Sequence, residues 1–519
     1  MARKRPPSGS PPGRRPRAGA RATATPRQQW DRPLAGAVFA VLLALAAIGD
    51  DRHVGLIADG RQMIRTAVAL AETGGIGQAV GRDFTVERPA GDAVSRFGMA
   101  TSLLQVPAAW AAPRIEASLG AGSSQALFLV LPWLAIGAAA AGAGLIARRL
   151  GADDLQVVAA VLLASLASPL GSYALLEFSE PVQAATLTLA LAAALTAARS
   201  GVPRPSLELA AGVAAGFAVL AKSSLIVAAP LTLLPLLDVD NPGRTRRALG
   251  RSGVGAALPL AVWAWMEFAR FGRLFGGYPD DRFTHPLFEG LWRLLVGPNR
   301  GFLLFWPAVL LFAWAGVRLV RQGRSSVAAR AWAGAGLALV AQLVVAAGYW
   351  GWHGMEGWGP RLFLAAVPLL APFAAVAPLP RKAIVAVVAL CLVLNLPPLL
   401  QHPTPVATYV MNLAWPEISE SERWRYPFYA MSESPSGRPT VVPFALLEKE
   451  PAANPWRLYV WFWRASRLDD QALADRLGAP PWLDAQPSLA PAAAWPPQVA
   501  RQVAPPPRIG FLGRSLTGT

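Results

Sequence analysis

Between Leu34 and Leu400 one apolar run follows another, with only short polar stretches between most of them. Gln125–Ala147, Leu155–Tyr173, Pro181–Ala198, Ala331–Tyr349, Leu362–Leu379 and Ala383–Leu400 each come near the ~20 residues that carry a helix across a bilayer. Leu34–Gly49, Ala256–Phe268 and Phe302–Val317 are shorter, and Leu207–Leu237 is longer. A soluble domain could not bury so much apolar sequence, because only 15% of the residues are charged and 54% are hydrophobic. In lipid the backbone must satisfy its own hydrogen bonds, so the pattern predicts an all-α polytopic membrane protein.

Charge placement sets the expected topology. The net charge of +17 would suit a nucleic-acid partner if it formed a stripe, but the arginines gather in an N-terminal arm and in short loops between apolar runs. We therefore expect membrane lipids and no nucleic acid as partners. Residues 1–32 form the arm, rich in Arg, Pro, Gly and Ser, with Asp31 its one acid; this composition predicts disorder on the cytoplasmic side. Leu34–Gly49 reads as an anchor, although Ala44-Leu45-Ala46 resembles a signal-peptide cleavage site. Leu207–Leu237 is too long for one crossing of a ~30 Å core and short for two. Basic loops flank it on both sides, so it must cross an even number of times and is expected to break near Lys222-Ser223-Ser224. The expected total is about eleven transmembrane helices in a cytoplasmic (inner) membrane. The N-terminus then lies in the cytoplasm and the C-terminus outside. The single cysteine, Cys391, says nothing about compartment.

The expected layout is the arm (1–32), a transmembrane domain (33–400) whose first outer loop spans 50–123, and an outer-face C-terminal region (401–519). That loop carries an amphipathic helix over Gly60–Thr73, ended by Gly74-Gly75, and a second apolar piece over Met99–Trp110 lying along the membrane surface. The C-terminal region, rich in proline and aromatics, is expected to be a loosely structured appendage. In this topology Asp59, Glu177, Glu180, Lys222, Asp280, Asp281, His285, His353 and Glu356 all fall at the outer face. Each alone can be a solvated helix end; their gathering on one leaflet points to a site.

The order of local motifs resembles the GT-C superfamily of polytopic glycosyltransferases, which includes protein mannosyltransferases and lipid A aminoarabinose transferases. Asp59 before a helix ending in Glu72-Thr73-Gly74-Gly75 is similar to their first-loop motif. Ser95–Pro107 resembles the second juxtamembrane helix, and Ala221-Lys222-Ser223-Ser224 the lysine turn between the fifth and sixth helices. Phe275-Gly276-Gly277-Tyr278 and Arg300–Pro307 resemble a later loop and helix start, and Trp350–Gly354 with Trp358–Leu362 the late outer loop. The lysine-proline-proline signature of the aminoarabinose branch is absent; Phe97-Gly98-Met99 stands in its place. The acceptor is therefore left open.

The resemblance implies a polyprenyl-phosphate-linked sugar as donor and a lipid, glycan or protein as acceptor. It makes Asp59 the base that takes the acceptor proton, and Lys222 and Arg361 the cations on the leaving phosphate. Read by itself, Asp59 with Gln62 also fits a helix capping box, Lys222 a lysine snorkelling at the interface, and Arg361 a headgroup anchor. Glu177 and Glu180 are supporting acids. His353 with Glu356 leaves a divalent metal open without specifying one. Trp350, Trp352 and Trp358 read as an interfacial belt. A transporter or lipid flippase, with a broken helix at Lys222, and a catalytically silent envelope-assembly protein are the alternative readings.

Overall fold

The computed structural model describes residues 31–49, 58–78, 85–88, 91–200, 202–277, 283–323, 326–354 and 357–400, with short pieces at 431–433, 439–441, 455–456 and 459. Glu356, Asp280 and Asp281, and most of the 1–32 and 401–519 regions, lie outside the described residues.

The chain is a mostly α-helical, polytopic membrane protein. Its helices are α1 (Arg32–Ile48), α2 (Ala58–Thr73), α3 (Met99–Leu119), α4 (Leu127–Arg149), α5 (Asp154–Leu163), α6 (Glu180–Arg199), α7 (Pro205–Ala221) and α8 (Pro242–Phe271). They continue with α9 (Leu287–Val296), α10 (Phe302–Phe305), α11 (Val309–Gln322), α12 (Val327–Gly348), α13 (Val367–Ala375) and α14 (Arg381–Asn395). Among the described residues, α4, α6 and α12 are each long and apolar enough to cross a membrane unaided. Other apolar stretches are broken. The Leu207–Leu237 run splits at Lys222, as its flanking charge predicted, but its second half is two 3₁₀ segments, Ser223–Val227 and Ala229–Leu236, and not a second α-helix. Two prolines, Pro230 and Pro235, account for that, since each removes a backbone donor from an α-helical ladder.

The helices approach one another over small residues. A Cβ on Gly212 of α7 would overlap the Ser252 backbone of α8, and one on Gly255 would overlap Leu209. Ser252 Oγ donates to the Glu208 carbonyl at 2.9 Å, so a polar bond closes the same crossing. Without water to drive association, such close backbone packing holds transmembrane helices together.

The two ends of the bundle carry different sets of charged residues. At one end α4 and α6 finish in Arg148, Arg149 and Arg199, and Arg148 pairs with Asp31 (2.6 Å) at the start of α1. Arg251 pairs with Glu208 and Arg381 with Asp153, the residue that caps α5 through a reciprocal bond with Gln156. At the other end α6 begins at Glu180 and its hairpin partner α7 finishes at Lys222. The loop helices and the late loop collect there.

The 58–119 region forms a small layer at that end. Helix α2 buries Met63 and Ala67 along one face, and Gly74, at φ 68°, ends it with its N–H on the Leu70 carbonyl (3.1 Å). A short antiparallel hairpin, β1 (Thr85–Glu87) with β2 (Ala93–Ser95), leads into α3. Helix α3 runs through Pro107 and Pro113 to Leu119, well beyond the expected Trp110. Packing of Ala109 against Ala67 of α2 and Phe128 of α4 holds it past the prolines.

Candidate active site around Arg361

Asp59 lies in the first turn of α2, a helix whose apolar face seats it on α3. Glu180 opens α6 just ahead of Pro181, and Arg361 opens a 3₁₀ turn (Arg361–Ala366) that leads into α13. These three residues, far apart in sequence, meet. Arg361 Nη2 donates to Asp59 Oδ2, Nε donates to Glu180 Oε1 at 2.9 Å, and Nη1 donates to the Gly354 carbonyl at 3.3 Å. The guanidinium lies 3.9 Å over the Phe178 ring, so it is held on its face as well as its edge. The side chains of Arg361 and Glu180 are 11% and 3% exposed, whereas Asp59 is 17% exposed.

Glu177 joins from the same loop as Glu180. It is buried beside α2: a Cβ on Gly60 would lie 2.5 Å from Glu177 Oε2 and 3.1 Å from its Cβ. Glycine beside Asp59 is thus what lets the acid approach. Lys222 ends α7, its backbone already extended (φ −157°, ψ 118°). The foot of α3 rests on that turn, because Gly98 abuts the Ala221 carbonyl. The Asp59 carboxylate goes to Arg361 through Oδ2.

His353 is buried in the late loop, next to the Gly354 that accepts from Arg361. Burial, with help from Arg300 and His285, pushes its imidazole down from 6.5 to about 3, so it is neutral at ordinary pH. Among the described residues no group of three His, Cys, Asp or Glu side chains comes together as a metal site. Trp352 and Trp358 are buried, which corrects the interfacial-belt reading for those two. Trp358 Nε1 donates to Asn395 Oδ1 (3.0 Å), and its ring meets Phe305, Trp456 and Tyr459. Trp456 stacks on Phe305 (4.3 Å), so a piece of the C-terminal region packs against this loop.

Several residues that hold the site together were not named as site residues from the sequence. Arg300 donates to the Gly357 and Gly359 carbonyls and so fixes the backbone that leads into Arg361. Glu267 and Arg270 form a buried ion pair (2.6 Å) at the end of α8. Arg270 Nη1 also donates to the Ser95 and Phe97 carbonyls (3.1 and 2.6 Å), and Arg88 Nη1 donates to the Ala269 carbonyl (3.2 Å). The hairpin and the foot of α3 are thereby latched to α8. An ionisable residue inside the Ala256–Phe268 run was the available signal for Glu267.

No protein-family model matches the chain, and no curated protein matches it. Among solved structures the chain is similar to ArnT from Cupriavidus metallidurans bound to undecaprenyl phosphate. There the identity is 13%, 93% of this chain and 78% of that chain are covered, and the TM-score is 0.50. The apo state of the same protein gives 14% identity, 92% and 77% coverage and a TM-score of 0.47. The Archaeoglobus fulgidus oligosaccharyltransferase tethered with an acceptor peptide gives 12%, 91% and 72%, and 0.40. At such identities the likeness concerns the fold. The fold is like that of ArnT, a helical membrane body, and here a cluster of largely buried charged groups lies at one end of it.

Proposed function

We propose that the protein is a membrane glycosyltransferase that moves a sugar from a polyprenyl-phosphate donor to a lipid, glycan or protein acceptor at the outer face of the cytoplasmic membrane. The observation that carries this reading is the convergence of Asp59, from a loop helix, with Glu180 and Arg361 at the end of the bundle opposite the arginine-rich one. The fold likeness to a protein whose structure was solved with undecaprenyl phosphate supports a polyprenyl-phosphate partner. With the end that carries Arg148, Arg149 and Arg199 in the cytoplasm, the end that holds Asp59, Glu180 and Arg361 faces outward. The eleven-crossing topology, with an inside N-terminus and an outside tail, belongs to the same reading.

In this reading the acceptor hydroxyl oxygen attacks the anomeric carbon of the donor sugar. A new carbon–oxygen bond forms as the bond from that carbon to the phosphate oxygen breaks. Asp59 takes the hydroxyl proton, and the bonding electron pair leaves with the polyprenyl phosphate. Arg361 and Lys222 stabilise that developing negative charge. Arg361 suits it best, because a planar guanidinium offers paired donors to phosphate oxygens. Glu177 and Glu180 support from α2's flank and from Arg361's edge. His353 holds the late loop beside Gly354, and Glu356 with a divalent metal remains part of the proposal for the same loop.

The test is direct. Purified protein in liposomes is given a panel of polyprenyl-phosphate sugars with lipid and peptide acceptors, and free polyprenyl phosphate is measured. The expected result is release that depends on an acceptor and is lost in Asp59→Asn. Donor movement between leaflets with no sugar release from any donor would replace this reading with a flippase.

A further inference from the structure

Arg361 is claimed by two carboxylates that are held very differently. Glu180 sits at the start of α6, its side chain 3% exposed, with Oε1 on Arg361 Nε and Oε2 buried without a hydrogen-bond partner among the described residues. Asp59 stands on the loop helix α2, is more exposed at 17%, and meets the guanidinium through Nη2. One partner is built into the body of the bundle and the other rides on a loop.

The contact creates a conflict. A carboxylate oxygen held by a guanidinium N–H is not turned toward an acceptor hydroxyl, and the N–H that holds it is not offered to a phosphate. We propose that the donor phosphate and Asp59 exchange on Arg361 Nη2, with Glu180 as the positioning residue that keeps Arg361 in place throughout. This rests on the reading of Asp59 as base and Arg361 as phosphate binder. In the free protein Asp59 closes onto Arg361. An arriving phosphate displaces it, and the freed carboxylate turns to the acceptor. The base is therefore armed by the donor. Glu180 stays because its chain position and burial leave it nowhere else to go, while the Phe178 ring keeps the guanidinium plane fixed.

Exchange makes an unusual demand on binding. A closed Asp59–Arg361 pair favoured about 10:1 lowers the apparent affinity for a phosphate by about tenfold. Removing the base's charge should then tighten phosphate binding, although it abolishes transfer. The experiment measures binding of undecaprenyl phosphate to the full chain in detergent by native mass spectrometry, with undecaprenol as the uncharged control. Asp59→Asn should bind the phosphate about 3- to 10-fold more tightly and leave undecaprenol unchanged. Arg361→Gln should lose that preference for phosphate; Arg361→Lys, which keeps the charge but lacks the fork, covers the case in which Arg361→Gln does not fold. In the Asp59→Asn background, Glu180→Ala should cancel the gain and Glu180→Gln, still an acceptor for Nε, should retain most of it. Equal or weaker phosphate binding by Asp59→Asn, with Arg361→Gln or Arg361→Lys weakened, overturns the exchange and leaves Arg361 as phosphate binder. Wild-type phosphate binding by the Arg361 variants overturns both the exchange and the reading on which it rests.

Discussion

Gly98, at the foot of α3, is pressed against the backbone carbonyl of Ala221, the last residue of α7. A Cβ at position 98 would overlap that oxygen, and the Leu220 carbonyl is 3.1 Å away on the same side. The contact joins the first loop to the Lys222 turn. Gly98→Ala must push two backbones apart. We expect a loss of about 1–3 kcal/mol, as for other overpacked positions, read from unfolding of the detergent-solubilised protein. A variant as stable as wild type would show that α3 does not rest on this turn.

The Asp59–Arg361 contact sharpens the choice between base and helix cap. Asn at position 59 can still accept from Arg361 through its side-chain oxygen, so Asp59→Asn should fold and melt near wild type. It cannot take a proton at neutral pH. Transfer should fall on the order of 100-fold or more, measured with a working donor and acceptor. Transfer at the wild-type rate would leave the mechanism without a base.

Lys222 separates in the same way. Snorkelling and phosphate binding both need its charge, but only the second affects the donor. Lys222→Met should weaken donor binding while the protein stays folded, and Lys222→Arg should recover part of it with impaired geometry. Unchanged donor affinity in Lys222→Met would leave Lys222 an interfacial anchor.

His353 predicts a pH dependence of stability. Its folded-state value is lowered from 6.5 to about 3 by burial, Arg300 and His285, so below 6.5 the unfolded chain binds a proton that the folded chain refuses. Stability from this group is therefore intact above pH 6.5 and falls as pH drops from 6.5 toward 3. At pH 5 the loss is about 2 kcal/mol. The melting-temperature difference between pH 7.5 and pH 5 should shrink in His353→Gln. An identical pH profile in the variant would mean that His353 titrates freely when folded.

The helical membrane body, the break at Lys222 and the amphipathic α2 were legible in the sequence because each depends on local composition. Run length, flanking arginines and a face of Met63 and Ala67 are properties of neighbouring residues. Local reading failed where a contact overrode a local preference. The second apolar piece was expected to end at Trp110, but Ala109 packs on Ala67 and the helix runs on to Leu119. Trp352 and Trp358 looked interfacial, but the late loop folds inward and buries them. Glu267 and Arg270 read as part of an apolar run and its end, yet their buried pair latches the foot of α3. The candidate site shows the same division. Sequence could name Asp59, Glu180 and Arg361 and assign them to one leaflet, because sidedness follows from where the arginines lie. That one guanidinium binds both carboxylates is a matter of angstroms, with Asp59 and Arg361 302 positions apart. Only the packing of α2, α6 and the late loop decided it.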